Sequence, residues 1–312
     1  MNQKQILLPG KIAGLSSDQT CIIHDLGEIR SKFQLRNDKE FSYSGLRWMY
    51  NDDSFIGVEY LRTESGRIYK GNIVRFGING EIIDRIYESE DGELAGDTYP
   101  SRNDKKLLVT TERIGDKKKN PLEGLSRKQS VMIMDLEHKK VIKKIENIGS
   151  SPSLQIEESP WLYNGDRFVY SITSGRKIVN EGEVINPVEE GYAGVYIYDL
   201  TTDQKKLLIP GGRFAIASPI DNRVAYIKNN KSINVLDLNN NLEETVYEIG
   251  SKEKVPNVHW TPDGKHIYLV YFDYYLGLSD LFTSGEKLIE VSTGTEIPFE
   301  KIGHGFTSYT WK

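Results

Sequence analysis

With a single cysteine among its 312 residues, the chain can hold no intramolecular disulfide framework and no cysteine-built metal cluster. Cys21 stands in the apolar run Thr20-Cys21-Ile22-Ile23, where a buried small hydrophobe is the expectation. A lone thiol suits a reducing cytoplasm and equally an exported protein that uses no disulfides. Long hydrophobic runs are missing as well, and no window approaches the ~18 apolar residues of a membrane span. Residues 1–10 carry no apolar stretch of signal-peptide length. The expectation is a soluble chain without membrane insertion, cytoplasmic or exported with its leader removed. Charge of one sign is also scarce: 40 Lys and Arg against 45 Asp and Glu leave a net −5, which gives no electrostatic reason to bind nucleic acid.

Catalytic signatures are thin. There is no G-x-S-x-G elbow, no glycine-rich phosphate loop and no H-E-x-x-H among the histidines at 24, 138, 259, 266 and 304. No catalytic residue, metal ligand or cofactor is singled out. Carboxylates are plentiful, so a lyase or glycosidase working through Asp or Glu stays open, although no pair stands apart.

What the chain does have is β-rich composition, with 18 Tyr and 28 Gly, and an internal repeat. Trp48, Trp161 and Trp260 each lie seven residues before an apolar residue that opens a β-rich run, at Phe55, Phe168 and Ile267. Polar turns separate the members of each pair: Asn51-Asp52-Asp53, Asn164-Gly165-Asp166 and Pro262-Asp263-Gly264. Pro100 to Leu107 and Ala217 to Val224 repeat the frame without tryptophan. Third strands follow with a shared Asp-Leu ending, at Asp135-Leu136, Asp199-Leu200 and Asp237-Leu238, and each leads through a polar turn to a fourth strand.

Four strands per unit at this spacing is the arithmetic of propeller blades, and no run shows convincing helical periodicity. The ends supply a sixth unit. Thr307-Ser308-Tyr309-Thr310-Trp311 reads as a first strand with nothing after it, and the N-terminal runs supply the three strands it lacks. The predicted fold is therefore all-β: one six-bladed β-propeller domain over 1–312, four antiparallel strands per blade, its ring closed by the C-terminal strand joining the N-terminal blade. The blades fall at 1–37 with 306–312, 38–90, 91–149, 150–210, 211–250 and 251–305.

Val258-His259-Trp260-Thr261-Pro262-Asp263-Gly264-Lys265-His266-Ile267 resembles the W-S-P-D-G-K-x-I signature of TolB-like (WD40-like) propeller repeats, and Ser159 to Phe168 is a looser copy. The motif places an aromatic between blades and makes a turn, so it carries no catalytic residue with it. The resemblance implies a protein-interaction propeller, of a kind that also precedes the catalytic domain of some peptidases.

First-to-second turns read as short. Second-to-third connections read as long at 62–72, 113–129, 174–194 and 273–286, which makes that face the expected binding surface. Its candidate residues are Arg67, Tyr69, Arg113, Arg176, Tyr192, Asp273, Tyr274, Tyr275 and His304. Tyrosine beside charge suits recognition of a protein or peptide, with carbohydrate as the alternative ligand. The expectation is a monomeric, non-enzymatic binding module; the alternative is a carbohydrate-active enzyme or sugar-binding protein acting at the channel mouth.

Overall fold

In the computed structural model the backbone is described for all residues except 1–10, 17–19, 26–27, 36–39, 114–127, 151–153, 158, 174–177, 181–182, 186–192, 252, 275–281, 300–305 and 312. The described residues are strands and turns, and no helix among them is long and apolar enough to cross a membrane. Two compact units emerge from the chain: 11–154 with 175–187 and 305–312, and 155–174 with 188–304.

The first unit holds three four-stranded antiparallel sheets. In one, β1 (Lys11–Ser16), β2 (Thr20–Asp25) and β3 (Glu28–Gln34) are joined by the C-terminal strand β25 (Phe306–Trp311) in the order β25-β1-β2-β3. Ile12 faces Trp311 and Ala13 faces Thr310 across that seam. The next sheet is β4 (Phe41–Trp48), β5 (Ser54–Arg62), β6 (Ile68–Gly77) and β7 (Ile82–Tyr87). The third is β8 (Glu93–Pro100), β9 (Lys106–Arg113), β10 (Lys128–Asp135) and β11 (Lys140–Ser150).

In the second unit, β12 (Leu154–Gln155), β13 (Arg167–Ile172), β16 (Gly194–Asp199) and β17 (Gln204–Pro210) form one sheet. A small hairpin of β14 (Ile178–Asn180) and β15 (Glu183–Ile185) lies in the chain between β13 and β16. The next sheet is β18 (Gly212–Ala217), β19 (Arg223–Lys228), β20 (Ser232–Asp237) and β21 (Leu242–Glu248). The last has only three strands, β22 (Glu253–Trp260), β23 (His266–Tyr274) and β24 (Phe282–Glu290). Where a fourth strand was expected, the described residues hold isolated pairing: Ile289 faces Glu296, and the Ile297 N–H donates to Leu288 O at 2.8 Å. Among the described residues there are therefore five four-stranded sheets, rather than six.

The seven-residue frame has a simple physical meaning: its two ends are cross-strand partners. Trp48 faces Phe55, Pro100 faces Leu107, Trp161 faces Phe168, Ala217 faces Val224 and Trp260 faces Ile267. All three tryptophans are buried, Trp48 and Trp260 in clusters that join neighbouring sheets. Trp48 packs within a cluster that spans the first two sheets, its ring 4.0 Å from Phe55. The Trp260 indole N–H donates to the Ile216 carbonyl of the preceding sheet at 3.3 Å.

The shared Asp-Leu ending is a turn device. Asp135, Asp199 and Asp237 accept, through Oδ1, the backbone N–H of His138, Thr201 and Asn239 at 2.8–2.9 Å. The leucine N–H that follows donates across to the first-to-second turn, at Lys105, Asp166 and Asn222. Each third-to-fourth turn then closes on a residue in the left-handed region, at Gly80, Lys139, Asp203, Asn241 and Gly294. Lysine alone among these lacks the easy access to positive φ that Gly, Asn and Asp have.

Candidate recognition site

Two of the expected long connections are shorter than the sequence suggested. Between β5 and β6 only residues 63–67 lie outside the strands, because Ile68, Lys70 and Gly71 continue the ladder opposite Arg62, Leu61 and Tyr60. In the last sheet β23 and β24 extend to Tyr274 and from Phe282. The polar character of Arg67-Ile68-Tyr69-Lys70 and Asp273-Tyr274 masked the strand pattern in both places.

The β5–β6 turn is tightly made. The Thr63 N–H donates to Arg67 O at 2.8 Å, Gly66 N–H donates to Thr63 O at 2.7 Å, and Thr63 Oγ1 accepts the Arg67 N–H at 3.2 Å. Gly66 takes φ +79, which its missing Cβ permits. The Arg62 N–H donates to Glu40 O, lengthening the β4–β5 ladder by one step. The guanidinium of Arg62 donates to Ser42 Oγ at 3.1 Å, which ties this cation down beside the strand ends.

A cleft of about 470 Å³ opens at this end of the sheet. Phe41, Leu61 and Tyr69 give it apolar and aromatic walls, while Glu40, Arg62 and Glu64 supply charge of both signs. Tyr69 is half-buried, and its carbonyl accepts the Gly92 N–H at 3.1 Å. Arg67 is exposed in the turn.

Arg113 and Asp273 take equivalent positions in their sheets. Arg113 ends β9 opposite Glu93, the first residue of β8, and Asp273 lies opposite Glu253, the first residue of β22. Tyr274 follows, paired with Phe282. Arg176, Tyr192, Tyr275 and His304 lie outside the described residues.

The sequence reading missed what surrounds those two glutamates. Tyr87 OH donates to Glu93 Oε2 at 3.0 Å and Lys144 Nζ to Oε1 at 2.7 Å. In the other unit Tyr247 OH donates to Glu253 Oε2 at 2.9 Å and Lys287 Nζ to Oε1 at 2.6 Å. Each tyrosine comes from the outer strand of the preceding sheet, so the same clamp joins neighbouring sheets twice. The signal was present in the sequence as Tyr87-Glu88 and Tyr247-Glu248, each tyrosine six residues before its glutamate.

Burial, reinforced by the Glu93 charge, pushes the Tyr87 phenol up to about 12. Burial alone would raise Glu253, yet the Lys287 ammonium and the Gly250 N–H outweigh it and hold the carboxyl below its usual range. Lys287 rises in turn, burial being outweighed by Glu253 and Tyr247. Its ammonium sits 4.9 Å from the ring centres of both Tyr247 and Tyr271.

Among the described residues no group of three or more His, Cys, Asp or Glu is placed to hold a metal ion. His138 lies exposed in a hairpin turn, with Nδ1 3.2 Å from Asp135, and His259 and His266 lie in β22 and β23. Cys21 is buried, and desolvation pushes its thiol up to about 12.

No protein-family model matches this sequence, and no curated protein does. Solved structures do resemble it. TolB from Acinetobacter baumannii aligns over 97% of this chain and 66% of its own length at 14% identity, with a TM-score of 0.58. An acylaminoacyl peptidase in complex with Z-Gly-Gly-Phe-chloromethyl ketone aligns over 93% of this chain at 12% identity and a TM-score of 0.55. An oligogalacturonate lyase in complex with manganese aligns over 95% of this chain and 85% of its own length at 10% identity, TM-score 0.51. The chain spans just under two thirds of that TolB and 45% of the peptidase. At these identities the likeness shows the fold, a TolB-like β-propeller of antiparallel sheets, and its hosts differ in activity.

Proposed function

We propose that this TolB-like β-propeller is a single six-bladed domain that works as a non-enzymatic binding module. In this reading the three-stranded sheet counts as the sixth blade, and β25 closes the ring by completing the N-terminal one. The ligand is a protein or peptide segment, gripped where the second-to-third-strand turns project. Arg67, Tyr69, Arg113, Arg176, Tyr192, Asp273, Tyr274, Tyr275 and His304 contribute to that face.

The observation that carries the reading is the cleft beside the β5–β6 turn. Its aromatic walls and two-signed charge suit a peptide, whose backbone and side chains offer donors, acceptors and apolar groups together. It is also built on paired strands, so little ordering cost accompanies binding.

Selection of peptides from a displayed random library against the immobilised protein tests this. Binders are expected to lose at least about tenfold in affinity with Tyr69→Ala or Arg62→Glu, and to be unaffected by Lys205→Glu, an exposed change on β17. Selected peptides indifferent to the cleft substitutions would refute the assigned surface. Release of new sugar ends from a polysaccharide panel would replace binding with catalysis.

A further inference from the structure

Two sheet-to-sheet junctions can be compared position by position, and the comparison exposes a second cleft. At the junction of β18–β21 with β22–β24, two turn positions in the left-handed region are glycines, Gly264 at φ +63 and Gly294 at φ +68. Both let the neighbouring sheet come close: a Cβ on Gly264 would lie 2.5 Å from Ile220 Cγ1, and one on Gly294 2.8 Å from Val246 O. Arg223 then covers the seam, lying over Trp260 and donating to Gly264 O at 2.9 Å.

At the junction of β4–β7 with β8–β11 the same two positions are Asp104 and Lys139, at φ 53 and 51. Neither permits that close approach. Asp104 instead spans to the neighbouring turn, its carboxylate accepting the backbone N–H of Tyr50 at 2.9 Å and of Asn51 at 2.6 Å. Lys139 reaches across to Asp84 at 2.7 Å. Ser54 and Pro100 stand where Arg223 and Trp260 stand in the other junction, and here it is the Arg102 guanidinium that spans the turns, 4.4 Å from the Tyr50 ring centre.

The result is a cleft of about 310 Å³. Met49, Ile56, Ile86 and Leu136 form its apolar floor. Asp52, Asp84, Asp104 and Glu137 stand around the rim, against Arg75 and Lys105. Arg75 is committed to Asp52 and Ser54. The cleft lies at the first-to-second-turn end of these sheets, opposite the end assigned above, and is independent of that reading. Its size is at the small end of ligand pockets, enough for one large side chain.

We propose that this cleft docks a short basic segment of a partner protein, with one aliphatic side chain on the floor and flanking cations against the carboxylate rim. The apolar floor supplies affinity through burial, and the acidic rim selects the flanking charge. Lys139 holds a left-handed conformation that glycine or asparagine adopts at less cost, and its side chain spans the seam to Asp84.

Methyl-¹³C-methionine NMR tests the proposal directly, because Met49 lines the cleft while Met132 and Met134, members of the same buried cluster, do not. The probes are three capped pentapeptides: leucine between two pairs of lysines, leucine between two pairs of glutamates, and serine between two pairs of lysines. The first is expected to move the Met49 methyl saturably while Met132 and Met134 stay in place, with the other two at least about tenfold weaker. Exposed Glu137→Lys should weaken the first peptide by about tenfold without changing the unfolding midpoint. A Met49 signal unmoved by the lysine peptide, or moved alike by all three, would overturn the proposal. So would a signal that shifts with protein concentration alone, which would make a second copy of the chain the occupant.

Discussion

Lys287 Nζ lies 2.6 Å from Glu253 Oε1, and Lys144 Nζ lies 2.7 Å from Glu93 Oε1, so one lysine–glutamate contact is written twice, once in each unit. The lysines sit on different strands of their sheets, Lys287 on the third and Lys144 on the fourth, yet each reaches the glutamate that opens the inner strand. Repetition with a changed lysine position argues that the clamp, rather than any one residue, is what the fold needs at these sheet-to-sheet seams.

Lys287→Met should leave Glu253 partly buried beside Tyr247 without its cation. A loss of about 2 kcal/mol is expected, read as a lower urea midpoint at unchanged slope. Lys144→Met should cost less, since Lys144 is more exposed than Lys287, at 33% against 15%.

Glu253 gives a pH dependence with a definite sign. Its folded carboxyl is held below the usual range, so its contribution is present above the unfolded value near 4.3 and is lost as pH falls through the folded one. Urea midpoints measured between pH 7 and pH 3 should therefore fall more steeply for the wild type than for Glu253→Gln. Parallel curves would mean the pair adds nothing.

Gly264→Ala combines left-handed backbone with a Cβ contact of 2.5 Å to Ile220, whereas Gly66→Ala meets nothing within 4 Å at φ +79. The second change should cost about 1 kcal/mol for the backbone alone, and the first about 2–3 kcal/mol. Thermal unfolding of the two variants side by side distinguishes the contributions.

Cys21 should be inert to a thiol reagent in the folded protein and react at once in urea. Its side chain is 1% exposed and its thiol is pushed up to about 12, so both access and thiolate are lacking. Rapid labelling under native conditions would place the first sheet in exchange with an open state.

Much of this fold was legible because its turns are spelled locally. Asn, Asp, Gly and Pro at Asn51-Asp52-Asp53 or Pro262-Asp263-Gly264 fix where one strand ends, and the residues flanking them then face each other by geometry alone. The C-terminal strand was legible for a related reason: Tyr309-Thr310-Trp311 repeats the first-strand pattern without its partners. Less legible was anything assembled from three strands at once. Tyr247, Glu253 and Lys287 come from β21, β22 and β24, and only their meeting in space makes them a clamp. The β5–β6 extension was hidden because charged residues interrupt its strand pattern. Of the candidate site, Tyr69 meets a cleft and Arg113 and Asp273 share a register position. The acidic seam at Asp104 and Lys139 has no signal in one repeat and becomes visible only against Gly264 and Gly294.

The proposed ring rests on β25, which pairs with β1 among the described residues. Deletion of residues 305–312, followed by urea unfolding with and without a synthetic peptide of that sequence, tests it most directly. The account predicts that the shortened chain loses its cooperative transition and regains it when the peptide is added. A shortened chain that unfolds at the wild-type midpoint would contradict a propeller closed by its last strand.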